Sequence, residues 1–472
     1  MPHAKFRPTL VLSALIAGWC GLAVQGVLVS PVLPLFQEKY GVGPGAASLV
    51  LTSALLVATI SIPVMSRLGD RYGKKRLMVV AMAFLAGGGI IAAVAPTFGV
   101  LLIGRSMQGT AAVMLPLGIS LIRDEFPEHL VRRSSSILGA SIGIAGGIGL
   151  VVAGLLVGDE GNLDAVLRFS AAYGVFALLC VSFLVPESDF RVKSALDVPG
   201  AVLLSLGLVC LLLTLSEGGT WGWGSALTLG VLAAGVLLLA AWVLVERRHV
   251  DPLIDVRLLV RPAVLSTGVA SFAFGFAQLA GFVAIANMVQ VDPAESGYGF
   301  GATVLQSGWF VLPQTTVQFL AAFVAARLVR RWPSPAVITA GYGAAAVGLL
   351  LLALESSQAW QVVGFSCVYG AGLGVSFALL PPRLVDTVSH EQMTPASAIS
   401  AVLFNVGQAG GGAVLGAVLA ATTAAGALAP SESGYSYVFL ACAVVSVVGG
   451  VVFALLAGRA TRHARGAAPS LA

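Results

Sequence analysis

Arg105 is the residue of this 472-residue chain whose chemistry fits its surroundings least, since it lies in the run Leu102-Ile103-Gly104-Arg105-Ser106-Met107-Gln108-Gly109 within a long apolar stretch. A guanidinium cannot give up its charge, so in such a place it needs polar partners or a water-filled cavity. Two roles are open: a fixed cation facing a polar pathway, or a structural arginine bonded to backbone carbonyls at a bend. A second feature is the segment Ser66-Arg67-Leu68-Gly69-Asp70-Arg71-Tyr72-Gly73-Lys74-Lys75-Arg76-Leu77, where Asp70 is the lone acid among five bases and Gly69 and Gly73 permit a tight turn. The third is a set of neutral amides inside apolar runs: Gln25, Gln108, Gln278, Gln314, Gln318, Asn405 and Gln408. Amides in hydrocarbon must be satisfied, either as bonds between helices worth about 0.6 to 2 kcal/mol each or as ligand contacts. Gln314 and Gln318 (i, i+4) and Asn405 and Gln408 (i, i+3) each share a helical face, which suggests a neutral polar cavity, with Trp309 and Phe282 as aromatic contributors.

Other chemistry is poorly represented. The histidines (3, 129, 249, 390, 463) fall at the termini or in connections, so no metal cluster is expected. The five cysteines are odd in number, widely spaced and inside apolar runs, where they read as small hydrophobes. With no nucleophile and base pair and no G-x-x-x-x-G-K-[ST] loop, neither an enzyme, a cofactor nor a nucleotide-driven pump is expected.

These residues must be held by elements that live in lipid. The chain is 58% hydrophobic and 10% charged, with a mean hydropathy of +0.96, too little charge for a water-exposed surface. A crossing helix needs about 20 apolar residues. Such runs occur at 10–32, 46–65, 77–94, 98–122, 135–157, 169–185, 199–215, 226–245, 264–289, 304–326, 336–354, 360–380, 396–419 and 437–456. The expected fold is an all-α integral membrane protein with fourteen transmembrane helices. The first run is too long for a signal-peptide core and lacks an A-x-A site, so it is expected to be retained.

Orientation follows from charge. With an even number of spans, all the Lys and Arg residues except Lys39, Arg105 and Arg168 fall on the side of the amino terminus. Positive charge marks the cytoplasmic side, so both termini are expected there, in a multi-pass protein of the cell membrane. The pI of 9.1 then reflects topology, and no nucleic-acid partner is expected. Gln25, seven residues before the end of its run, and Arg105, seven after the start of its own, sit about 10 Å deep from one face at 1.5 Å per residue. The Gln25 side-chain carbonyl is thus expected to accept from the guanidinium.

The 66–77 segment resembles the loop of the major facilitator superfamily written G-x-L-a-D-R-x-G-r-k-x-x-l, with Ser66 in place of the first glycine, and Ala326-Arg327-Leu328-Val329-Arg330-Arg331 is a weaker echo. The resemblance implies a gating motif of Gly69, Asp70, Arg71, Gly73, Lys74 and Lys75, in which Asp70 and Arg71 lock the inner side when it is closed. The Arg105 run is similar to the superfamily's R-x-x-q-G motif. Span five is glycine-rich (139, 143, 146, 147, 149, 154); Gly149 to Gly154 is a partial match to the exporters' G-P-x-x-G-G, and helix close-packing explains the glycines equally well.

Twelve spans are usual in this superfamily. The two extra central ones, with Leu196-Asp197-Val198-Pro199-Gly200, 215–223, 251–259 and 408–416, resemble the fourteen-span drug:proton antiporter branch. The implied organisation is a six-helix half (1–190), a two-helix central insertion (191–262) and a second six-helix half (263–472). The implied function is secondary active export of hydrophobic or amphipathic drugs and antibiotics by a monomer using alternating access, driven by the proton gradient. One departure weakens the coupling. The branch carries an aspartate in span one where this chain has Gln25, and every acidic residue lies in a loop or at a span end. Asp70, Asp124 and Glu217 are the acids within reach, so coupling is expected to be weak or relocated, and a facilitator or metabolite exporter of the same fold without conventional proton coupling is the alternative.

Overall fold

A computed structural model describes residues 7–29, 32–158, 162–188, 190–191, 197–248, 256–423 and 429–466. Leu196 and 251–255 of the motifs above, residues 30–31 of the first apolar run, and Lys5 and Lys193 of the charge pattern lie outside them.

Fourteen helices are long and apolar enough to cross a membrane: α1 (Pro8–Val29), α2 (Pro44–Tyr72), α3 (Lys74–Ala93), α4 (Phe98–Glu125), α5 (Glu128–Val157), α6 (Leu163–Leu184), α7 (Val198–Trp221), α8 (Ala226–Glu246), α9 (Pro262–Met288), α10 (Val304–Leu328), α11 (Ser334–Leu354), α12 (Ala359–Thr387), α13 (Met393–Ala421) and α14 (Glu432–Gly466). Their number matches the apolar runs. Their ends do not, because several helices run past the hydrocarbon: α2 continues seven residues beyond 65 and α5 starts seven before 135.

The segment read as a loop between the second and third spans is therefore nearly all helix. Only Gly73 leaves it, at φ 118°, a conformation that L side chains rarely adopt. A Cβ there would also lie 2.8 Å from Oε1 of Glu187. Gly69 has a different task from the turn expected of it: it sits inside α2, where a Cβ would come within 2.6 Å of Cδ2 of Leu117 on α4.

Helix α4 is interrupted by a 3-10 turn, Gly109–Val113. The α2 backbone presses on it there, since a Cβ on Gly109 would meet the Ala54 carbonyl oxygen at 2.1 Å.

Helices α1 to α6 pack as one set and α9 to α14 as another, and the sets meet along α2 with α13 and α5 with α10. Helix α7 lies against both α2 and α13, and α8 packs on α7. The span-five glycines make the α5–α10 seam possible: a Cβ on Gly147 would stand 1.9 Å from Oγ1 of Thr315, and one on Gly154 2.4 Å from Cα of Leu305. The chain is thus built as two six-helix halves with two extra central helices. One end of the bundle gathers Arg67, Lys74, Arg123, Arg132 and Arg261 and is called the basic end below. At the opposite end Lys39 pairs with Asp164 at 2.8 Å.

Candidate functional site

At the basic end a buried polar network crosses from one half to the other. Asp70, in the last turn of α2, accepts a hydrogen bond from the Thr394 hydroxyl at 2.7 Å, and that hydroxyl lies 2.8 Å from Oγ of Ser120. Thr394 is in the first turn of α13, so the carboxylate also faces the positive end of a helix dipole. Lys74, four residues after Asp70, stands 3.9 Å from it and 2.5 Å from Asp124 on α4. Asp124 further accepts from Ser188 at 2.5 Å and lies 2.8 Å from Nε2 of His390, in the α12–α13 connection. Phe190 closes the outside, with its ring 4.3 Å from that of His390 and 5.3 Å from the Lys74 ammonium. Asp70, Lys74 and Ser188 are each no more than 3% exposed.

Flanking contacts extend the seam. Arg123 donates to the Val388 and Ser389 carbonyls at 3.0 and 3.2 Å, just past the end of α12, where a cation suits the helix dipole. Arg132 lies 3.4 Å from Asp386, and Arg261 donates to Gln392 at 2.9 Å.

The gating residues divide. Asp70 and Lys74 are in the network, Gly69 and Gly73 shape the backbone under it, and the Lys75 backbone N–H donates to Glu187 at 3.1 Å. Arg71, expected beside Asp70, is exposed and lies over the Tyr72 ring at 5.1 Å. Lys74 makes the pairing instead.

Arg105 is 1% exposed and each of its three nitrogens makes a hydrogen bond: Nε donates to the Val50 carbonyl at 3.2 Å, Nη2 to the Gln25 carbonyl at 3.3 Å and Nη1 to Oε1 of Gln108 at 2.5 Å. The Gln25 acceptor is its backbone oxygen, so the expected bond to the side-chain amide is corrected. That amide turns to α6, donating to the Ser170 carbonyl at 3.0 Å and accepting from the Ser170 hydroxyl, which also accepts from Gln108 at 3.0 Å. Among the described residues no carboxylate pairs with Arg105. It ties α1, α2 and α4 together just before the 3-10 turn, the structural role left open above.

In the second half Gln318 donates to Gln278 at 2.8 Å. Gln314, on the same helix, is fully buried and neither of its amide atoms has a described partner. Asn405 is 1% exposed with its Nδ2 unpaired, and Gln408 is half-buried. Trp309 is 56% exposed on the outside of the bundle, so it is not a wall between the halves; Phe282 is buried and faces Gly146 of α5.

The space between the halves is aromatic more than amide. Phe274 and Phe377 stack at 3.9 Å, Phe404 lies 5.8 Å from each, and Trp19 of the first half reaches Phe404 at 6.5 Å. Beside them is a cavity of about 20 Å³ lined by Phe377, Phe404, Ser271, Ser397 and Ser400 with aliphatic side chains of α4 and α12. None of the amides lines it. That volume holds about one water molecule.

Two buried acids escaped the sequence reading. Asp197 caps α7, accepting from the Gly200 N–H at 2.8 Å, and Glu246 ends α8; they are 1% and 3% exposed. Their carboxylates converge on Gly200, where a Cβ would lie 2.2 and 2.6 Å from them.

Fourteen apolar helices, twelve of them in two six-helix halves, with charge locked across one end, define a multi-pass membrane protein of the transporter class. The chain belongs to the Major Facilitator Superfamily, whose sequence profile matches residues 14–412 and, in a second match, 271–471. It is 27% identical over 428 residues to the tetracenomycin C resistance and export protein of Streptomyces glaucescens, covering 88% of this chain and 76% of that protein. It is also 27% identical over 429 residues to the puromycin resistance protein of Streptomyces alboniger, covering 89% and 82%. The human organic anion transporter MFSD10 shares the fold, with a TM-score of 0.66 at 16% identity over 94% of this chain and 99% of that one.

Proposed function

We propose that this protein is a secondary active exporter of hydrophobic or amphipathic small molecules, antibiotics among them, working by alternating access in the cell membrane. The basic end is the cytoplasmic one, by the positive-inside bias, and both termini lie there. Residues 1–190 and 263–472 are the moving halves, 191–262 is the central insertion, and the working unit is a monomer. The observation that carries the reading is the buried network of Asp70, Lys74, Asp124, His390 and Thr394, which binds the halves at one end. It is the kind of bond that a two-state transporter must make and break. The export direction and substrate type are supported by the names of the relatives above.

Coupling to protons is weak or relocated. Gln25 carries no titratable group and its amide is closed on Ser170. Transport without proton exchange is the second reading, favoured by that same contact. Everted vesicles tested against a panel of antibiotics and dyes, with and without an imposed pH gradient, separate the two. Gradient-stimulated uptake supports the exchanger, gradient-independent uptake the second reading, and no uptake of any compound overturns export.

A further inference from the structure

The ring cluster between the halves is bordered by hydrogen-bond donors with no described partner. Ser397 Oγ, on the cavity wall, is unpaired in a residue 2% exposed. Asn405 Nδ2, two turns along α13, and Trp19 Nε1, across from Phe404, are unpaired in residues 1% exposed. A buried N–H or O–H without an acceptor costs about 1 to 3 kcal/mol, so this set is poised to gain when an acceptor arrives. Gln314, with both amide atoms unpaired, and the unpaired amide oxygen of Gln318 are on α10, which contributes no ring to the cluster.

Charge adds a second constraint. Among the described residues, every carboxylate of the two six-helix halves lies in a connection or within two turns of a helix end, and the deep charge is Arg105, each of whose three nitrogens already makes a hydrogen bond. A cation brought to the rings would find no counter-charge, and an anion would have to compete for a guanidinium whose three nitrogens each already bond to a protein carbonyl.

Resting on the export reading above, we propose that the chain selects uncharged, planar, fused-ring substrates with carbonyl or phenol oxygens on their edge. When the halves part, such a molecule takes the place of the Trp19–Phe404 contact. Its faces lie against Phe274, Phe377 and Phe404, and its oxygens accept from Ser397, Asn405 and Trp19. Aromatic contacts are worth about 0.5 to 1.5 kcal/mol beyond burial, and the donors set which aromatic is chosen.

The test is equilibrium dialysis of the purified full-length protein against three probes: anthraquinone, which has carbonyl acceptors; anthracene, which has none; and ethidium, which is planar and cationic. Anthraquinone is expected to bind at least about tenfold more tightly than either, the worth of one or two buried hydrogen bonds. Trp19→Phe, which keeps a ring and removes the N–H, and Ser397→Ala should each weaken anthraquinone several-fold and leave anthracene unchanged. Ethidium binding as tightly as anthraquinone overturns the proposal, and so do variants that weaken anthraquinone and anthracene equally, since that is a packing effect. Vesicle transport separates the two readings. Anthraquinone bound with this profile but not moved retires export and keeps the selectivity; anthraquinone and ethidium moved equally keeps export and retires the selectivity.

Discussion

The Thr394 hydroxyl donates to the Asp70 carboxylate at 2.7 Å, joining residues 324 positions apart and bonding the first turn of α13 to the last turn of α2. Removing it should loosen the basic end without unfolding either half. Thr394→Val keeps the shape and loses the bond, while Asp70→Asn keeps a polar group and loses the charge. Hydrogen bonds to charged groups are worth about 1.5 to 3 kcal/mol, so the closed-to-open ratio should fall tenfold or more in each. Labelling of Ser120→Cys by a membrane-impermeant thiol reagent reads that opening. Normal transport and unchanged labelling in both variants would remove the latch.

Lys74 is a buried ammonium whose closest carboxylate is Asp124. Breaking such a pair from one side leaves the ammonium with Asp70 at 3.9 Å as its remaining carboxylate, a loss approaching the roughly 3 to 5 kcal/mol of a charge left wholly unpaired. Asp124→Asn alone should therefore lower thermal stability in detergent sharply, and the double variant with Lys74→Met should recover most of it. Transport should recover in neither, because the cross-half bond to His390 needs the Asp124 carboxylate. Restored transport in the double variant would make the pair structural only.

Arg105 bonds two backbone carbonyls and one side-chain carbonyl through three different nitrogens. An ammonium cannot reproduce that planar fork. Arg105→Lys should lose transport at normal expression, and Arg105→Ala should also lose several degrees of melting temperature, since buried acceptors go unmet at about 1 to 3 kcal/mol each. A stable and inactive Arg105→Ala would return the residue to the role of a pathway cation.

The fold was legible in the sequence because lipid imposes a length on every apolar run, and fourteen runs became fourteen helices. The site was legible only where chemistry conflicts with its setting. Arg105 and the Asp70 segment announced themselves by charge in or against apolar sequence. Ser170, Thr394 and His390 did not, being single polar residues of ordinary type whose partners lie 145 to 324 positions away. Glycine roles were misread for the same reason. Gly73 is a turn residue by its backbone, whereas Gly69 is fixed by Leu117 on another helix.

Gly73 offers a direct check of that distinction. Gly73→Ala should destabilise the α2–α3 junction by about 1 to 2 kcal/mol from its left-handed φ alone. Adding Glu187→Ala, which clears the space next to the new Cβ, should leave most of that loss. Full rescue, read by thermal shift, would place the penalty in the Glu187 contact.

Proton coupling turns on Gln25, whose amide both donates to and accepts from Ser170. In Gln25→Glu a protonated carboxyl can make the same two bonds, while an ionised one must face the Ser170 carbonyl oxygen without a proton to share. The closed state therefore holds the proton. If α1 and α6 separate, the group can ionise toward the nearby Arg105 guanidinium. The variant should gain substrate-evoked proton release from energised vesicles, and the unaltered protein should show little. The comparison also tests where protons sit in the natural chain, whose buried acids among the described residues are Asp70, Asp124, Glu217, Asp197 and Glu246. Strong release by the unaltered protein that survives neutralising each of these in turn would exclude the described buried acids as its carrier, and the weak-coupling reading would fall with the role given to Gln25.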